Sequence, residues 1–283
     1  MGELVAIQVD EGLARGVAID ARARIAAVVG GADALVEAVR VRIRPVGARA
    51  VLAQVNAEVD GRRIRVQEAA ADRATALDRL ADGLRARITA VTTGWTPLPW
   101  PRRAPGAGLL SAVPAQGGPS RAGRAPVAAG AAPFAAHPCT GLPRAGVRPA
   151  LAASSAGPRH IARRKEAHLV WCSPDAAART MDAMDFDIHL FTDPATETDA
   201  VVYRTGPTGY RLARTGAAGP PTRPAVPFTL SPVGAPELTE AGAVDRLCAA
   251  DLPFLFFAQP GTRRGRVLYR RFDGLLGLIA ATS

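Results

Sequence analysis

The sequence predicts an α+β protein in three parts: an N-terminal β-α-β-β-β-α domain, a long flexible linker and two tandem small α+β C-terminal domains. Three observations carry that reading. Strand-like and helix-like patterns alternate through about the first ninety residues, composition changes abruptly after Thr93, and the last third of the chain repeats itself.

The elements follow in order. Residues 4–10, LVAIQVD, read as a strand, and residues 14–29 carry Val17, Ala21, Ile25 and Val28 at helical spacing. Residues 36–46, VEAVRVRIRPV, alternate strictly, with Val39, Val41 and Ile43 on one face and Arg40, Arg42 and Arg44 on the other. Residues 50–61 continue the habit with Val51, Val55 and Val59 and end in Asp60-Gly61, a hairpin signal, before a strand at 62–68 with Ile64 and Val66 inward. Residues 72–91 form the clearest helix, striped by Leu77, Leu80, Leu84, Ile88 and Val91.

Residues 1–93 are thus expected as one domain. Residues 94–159 are dominated by Pro, Gly, Ala and Ser, too poor in periodic apolar surface to offset the entropy of ordering, and are expected as a flexible linker. Trp95 and Trp100 near its start are expected to be loosely packed or exposed, with docking back on the first domain as the alternative. From 160 to 213, a strand at 165–171 precedes Ser173-Pro174, a helix N-cap and first-turn proline. Strands at 186–191, 200–204 and 209–212 follow, separated by turns at Asp193-Pro194 and Gly206-Pro207. After a joint at 213–225 the order restarts within 224–283: strand PFTL, a helix capped by Thr239, and strands at 254–257, 266–270 and 275–279.

The restart is a duplication. An ungapped offset of 66 pairs Asp185 with Asp251, Phe191 with Phe257, Pro194 with Pro260, Val201 with Val267, Tyr203 with Tyr269, Arg204 with Arg270 and Leu212 with Leu278. Units this small bury too little surface to be stable alone. Phe254 to Phe257 are apolar without alternation, so both faces of that strand need cover, whereas the first copy alternates, with Ile188 and Leu190 inward and Asp187 and His189 outward. An association module follows, with Ile188, Leu190, Phe191, Val202 and Tyr203 of one unit and Phe254, Phe256, Phe257, Leu268 and Tyr269 of the other as its contact residues.

The formal net charge is +10, which points to an acidic partner, nucleic acid first among them. Lys165 is the single lysine, and this arginine bias also fits a GC-rich genome. Three guanidiniums on one strand face, Arg40, Arg42 and Arg44, can bridge phosphates or stack on bases. Arg63 and Arg65 extend that face, and Arg22, Arg24, Arg73, Arg79, Arg85 and Arg87 line the helices.

Other chemistry finds little purchase. Cys139, Cys172 and Cys248 are widely spaced, which suits a reducing cytosol rather than a disulfide frame. Residues 1–12 show no secretory pattern and no apolar run is long enough to span a bilayer, so a cytoplasmic protein with no membrane partner is expected. Asp182, Asp185, Asp187, His189 and Asp193 gather in one stretch, but the predicted elements do not make them converge, and His137 with Cys139 lacks further ligands at zinc-like spacing. There is no phosphate-binding glycine loop and no nucleophile elbow. We expect no enzyme, no cofactor, no metal and no small-molecule substrate.

These residues resemble a known family. The β-α-β-β-β-α start resembles the ribosome-binding domain of hibernation-promoting factors, the S30AE or sigma-54 modulation family. The stretch from IARRKEAHLVW through SPDAAARTMDAMDFDIHLF to VVYRTGPTGYRL looks like the C-terminal domain of its long form. That resemblance implies binding to the small ribosomal subunit and 16S rRNA in the mRNA and tRNA channel, inhibition of translation by occlusion, and a stress or dormancy role on the 70S ribosome. In the usual long form the C-terminal domain pairs two ribosomes into 100S particles. Here the two tandem copies, like those of actinobacterial dormancy factors, are expected to pair within one chain and favour single 70S ribosomes. Pairing in trans to give 100S particles, and a non-ribosomal scaffold role, are the alternatives.

Overall fold

The computed structural model describes residues 4–11, 13, 16–46, 50–97, 160–204, 209–217, 219–221, 223–271 and 275–282. Most of the expected linker, with Trp100, His137 and Cys139, and the Gly206-Pro207 turn lie outside the described residues.

The N-terminal layer contains β1 (Val5–Val9), α1 (Gly16–Gly30), β2 (Val36–Val46), β3 (Ala50–Val59), β4 (Arg62–Ala70) and α2 (Arg73–Thr92). Its sheet runs β1-β2-β3-β4, with β1 parallel to β2 and the other neighbours antiparallel. Period-two alternation sends Val39, Val41, Ile43, Val55, Val59, Ile64 and Val66 to one face, where α1 and α2 bury Val17, Ile25, Leu77, Leu80 and Leu84 against them. Each fully buried leucine contributes roughly 1.5–3 kcal/mol. Asp60 and Gly61 both have positive φ, 48° and 68°, the backbone that a two-residue hairpin matching strand twist requires. Asp72 caps α2 by accepting the Thr75 N–H at 2.8 Å. Gly83 lets the helix lie close on β4, since a Cβ there would stand 2.6 Å from Val66 Cγ1.

The C-terminal part holds β5 (Ile161–Ala167), α3 (Pro174–Ala183), β6 (Ile188–Asp193), β7 (Thr198–Tyr203) and β8 (Tyr210–Arg214), then β9 (Phe228–Leu230), α4 (Glu240–Ala249), β10 (Phe254–Ala258), β11 (Gly265–Arg270) and β12 (Leu276–Ala281). Its two sheets run β6-β7-β8-β9 and β10-β11-β12-β5. The leading strands are exchanged: β5 lies parallel to β12 of the second copy, and β9 lies parallel to β8 of the first. Neither segment makes its sheet alone. The first turn of each helix carries a carboxylate that holds the incoming chain. Asp175 accepts the Ala225 and Val226 N–H groups, and Glu240 pairs with Arg164 of β5 at 2.7 Å.

The exchanged strand begins earlier than 165–171 suggested, at Ile161, and its basic middle is exposed, as befits a charged edge strand. Both copies cover both sheet faces. Phe191, Val202, Tyr210 and Leu212 pack beneath α3, and Leu255, Phe257, Leu268 and Leu278 beneath α4. A separate core lies between the sheets, built from Leu190, Val201, Tyr203 and Ala213 of the first copy and Phe256 and Val267 of the second, with Ile188, Phe254 and Ile279 against it. The outward placement expected of His189 is corrected accordingly. It shares the α3 face with Phe191, because alternation puts residues 189 and 191 on one side and that side is also covered.

Candidate nucleic-acid interface

The face of the N-terminal sheet opposite its helices carries the guanidiniums. Cross-strand register aligns Arg40 with Asn56 and Arg65, and Gln8 with Arg42, Gln54 and Gln67. Arg40, Arg42 and Arg63 are exposed, and Arg44 is half-buried. Arg42 is partly neutralised by Asp10 at 3.3 Å, in an open depression also lined by Glu11 and Arg44. Such a surface offers bidentate donors beside amide side chains, a chemistry suited to phosphates, ribose and base edges. Gln54, Asn56 and Gln67 were not singled out from the sequence, although applying the same two-residue period to β3 and β4 places them there.

The helical arginines stand on the other side of the molecule. Arg22 donates to the Val5 carbonyl at 3.2 Å, Arg24 pairs with Asp20 and Asp78, and Arg85 pairs with Asp82 at 2.8 Å. Arg73 is exposed and Arg79 half-buried on the same helix. The eleven arginines therefore do not form one patch, because α1 and α2 sit on the face opposite Arg40, Arg42 and Arg44.

Two of the eleven are covered by the first C-terminal copy. Asp185, in the left-handed region with φ 52° at the end of α3, accepts the Gln67 N–H of edge strand β4 at 2.9 Å and Arg87 of α2 at 3.1 Å. Arg65 lies 5.7 Å from the Phe186 ring centroid. Burial pushes its guanidinium below its ordinary value, against the opposing pull of Asp185 and Asp187.

The aspartates of the first copy are engaged as structural anchors. Asp182 accepts from Tyr210 at 2.7 Å, from Trp95 Nε1 at 3.0 Å and from Arg204. Trp95 thereby docks on the first copy, where Arg179 lies 5.4 Å from its ring, and is neither loosely packed, as expected, nor docked on the N-terminal domain, the alternative. Asp193 holds Arg214 at 2.8 Å. His189 stacks between Phe186 and Phe191, and burial, with Lys165 nearby, pushes its pKa down to about 4. Among the described residues no three His, Cys, Asp or Glu side chains come together as a metal site. No described helix is long and apolar enough to cross a membrane.

Of the expected pairing residues, Ile188, Leu190, Tyr203, Phe254 and Phe256 lie between the two C-terminal sheets. Phe191, Val202, Phe257 and Leu268 point the other way, into the cores under α3 and α4, because neighbouring strand residues alternate. Tyr269 stands with its ring against Gly277, where any Cβ would be within 2.4 Å of it. Val201, Val267 and Ala213 complete the interface and were missed, though the same alternation reaches them from Leu190 and Tyr203.

Parts of this chain are similar to known proteins. Residues 156–212 match the family described as Sigma 54 modulation/S30EA ribosomal protein C terminus. Over 130 residues, 43% of this chain, the sequence is 49% identical to the dormancy associated translation inhibitor of Mycobacterium tuberculosis, in strains CDC 1551 / Oshkosh and H37Rv. The alignment spans about half the length of those relatives, 48%. Among solved structures, the N-terminal domain of Thermus thermophilus Protein Y is 18% identical and covers 31% of this chain and 99% of its own, with a TM-score of 0.28. A ribosomal subunit interface protein from Coxiella burnetii is 11% identical and covers 32% of this chain and 98% of its own, with a TM-score of 0.27.

Proposed function

We propose that this chain is a ribosome hibernation factor of the S30AE type, which binds the small subunit at the mRNA and tRNA channel and inhibits translation by occlusion. The observation that carries the reading is the open face bearing Arg40, Arg42, Arg44 and Arg63, joined in one chain to a segment matching the S30EA C terminus. Nearly half identity to a translation inhibitor over the aligned residues supports the same conclusion. Its action is displacement. Guanidiniums on a rigid sheet neutralise 16S rRNA phosphates and release counterions, and the bound layer then fills space that mRNA or tRNA would need.

The tandem copies pair in cis, and the chain favours single 70S ribosomes over 100S particles. That reading is supported by the exchange of β5 and β9 and by the apolar core between the sheets, which satisfy each copy's exposed face without a second chain. Sedimentation through sucrose gradients with purified ribosomes tests both parts. Wild-type protein should travel with 70S particles and be released as salt rises. Changing Arg40, Arg42 and Arg44 together to Glu should abolish binding at moderate salt, each lost phosphate contact removing about 0.7–0.9 from the slope of log affinity against log salt. Unchanged co-sedimentation of the triple variant would sink the assigned face, and a dominant 100S peak would sink pairing in cis.

A further inference from the structure

We infer that Asp199 and Gly265 form a one-way lock on the pseudo-two-fold axis between the C-terminal copies, so that a first copy accepts only a second-copy surface as its partner. The inference deepens the proposed pairing and rests on it. Gly265 stands 66 residues after Asp199, the offset of the duplication, and its N–H donates to Asp199 Oδ2 at 2.7 Å. A position touching its own counterpart in the other copy lies on the axis relating them. The counterpart pairs Leu190 and Phe256, and Val201 and Val267, belong to the same inter-sheet core, so the axis runs through it.

The pair is unequal in charge and in size. Asp199 is 5% exposed, and besides the Gly265 amide it accepts Arg264 Nε at 2.8 Å and Thr192 Oγ1 at 3.1 Å. Two of its three donors thus come from the second copy. A Cβ on Gly265 would stand 2.8 Å from Asp199 Cβ and 3.1 Å from Phe256 Cε2, so only glycine fits opposite the aspartate. Pairing two first copies would set Asp199 against Asp199, with Thr198 where Arg264 should be: two buried carboxylates without the guanidinium. Pairing two second copies would set glycine against glycine and leave Arg264 without the carboxylate it now holds. The second copy also has Ala258 where the first has Thr192, so it has lost the hydroxyl that completes the aspartate's shell. Only the mixed pair meets every requirement. Repulsion against the wrong partner is as much a part of this specificity as attraction to the right one.

A thermal-unfolding cycle on the full chain tests the lock, using wild type, Gly265→Asp, Asp199→Gly and the double variant Asp199→Gly/Gly265→Asp, with hydrogen exchange in β5 and β9 as a second readout. Gly265→Asp puts two carboxylates on the axis and should lower Tm by about 10 °C and speed exchange in both lead strands. Adding Asp199→Gly removes the like charge and the close approach at the axis and should recover part of that loss but not all of it, since Thr198 and Ala258 stand where Arg264 and Thr192 complete the wild-type shell; Asp199→Gly alone is destabilising. If Gly265→Asp yields no soluble folded chain, recovery of folded protein by the double variant is the same result. Additive losses, or no rescue, overturn the lock. Sedimentation equilibrium of the wild type separates this from the proposed pairing: a dimer overturns pairing in cis while the cycle still reads the axis contact, which would then be made between chains.

Discussion

The two C-terminal copies share one apolar frame and differ in nearly every buried polar group. Met181 and Leu247, Phe191 and Phe257, Val202 and Leu268, and Leu212 and Leu278 occupy matching places under α3 and α4. The first copy threads carboxylates through that frame, with Asp182 on Arg204 and Tyr210, Asp193 on Arg214, and Asp199 on Arg264. At the corresponding positions the second copy has Cys248 for Asp182, Leu276 for Tyr210, Gln259 for Asp193, Ala280 for Arg214 and Gly265 for Asp199. Arg270 matches Arg204 but turns to the Leu252 carbonyl and to Asp251. The difference teaches how duplicated cores diverge. A buried ion pair costs much to break by one partner, so an arginine whose carboxylate is gone must find another acceptor, as Arg270 does.

The sharpest way to break the comparison is to exchange one member of a set. Asp182→Ala removes the carboxylate from a buried Arg204 and should cost about 3–5 kcal/mol. Cys248→Asp buries a carboxylate beside Leu276 and should also destabilise, while Cys248→Ala stays within about 1 kcal/mol. Denaturant titration of the full chain reads all three, and a neutral Asp182→Ala would show that the network is ornamental.

A second contrast is with pH. His189 in the first copy corresponds to Leu255 in the second. Folding lowers the histidine pKa from 6.5 to about 4, so the unfolded chain takes up the proton first. The stabilising preference for the neutral ring is complete above pH 6.5, declines as pH falls from 6.5 to 4, and amounts to at most about 3 kcal/mol across that window. His189→Leu should flatten the midpoint of unfolding between those pH values. A variant that retains the full slope would place the proton elsewhere.

The smallest effects compare Asp185 with its counterpart Asp251. Both have positive φ, but Asp185 is buried against the N-terminal layer, with a side chain 5% exposed, whereas the Asp251 side chain is 77% exposed. Asp185→Ala should cost about 1–3 kcal/mol and raise hydrogen exchange at the Gln67 amide, and Asp251→Ala should change stability by under about 0.5 kcal/mol. Equal losses at the two positions would mean that the contact of the first copy with β4 adds nothing.

Much of this architecture is written in local pattern. Alternation in residues 36–46 is enough to separate the valine face from the Arg40, Arg42 and Arg44 face, since a strand has only two sides. The leucine stripe of α2, the caps at Asp72, Ser173 and Thr239, and the Asp60-Gly61 turn follow from residues within a few positions of each other. The repeat needs only self-comparison. Side-chain partners across the chain could not be read in this way. Whether β5 pairs with β8 or β12 depends on hydrogen bonds closed across more than a hundred residues, and an edge strand such as IARRKEA carries no mark of its neighbour. His189 looks solvated in sequence and becomes half-buried because a second sheet and a helix claim both faces of its strand. Arg65 belongs by period to the open face, yet Phe186 and Asp185 cover it, a contact made only when the first copy docks. The sequence by itself determined which residues lie on which side of each element, because that depends on backbone period. Tertiary structure decided what each side meets, because burial and pairing are settled by the whole chain competing for the same apolar surface.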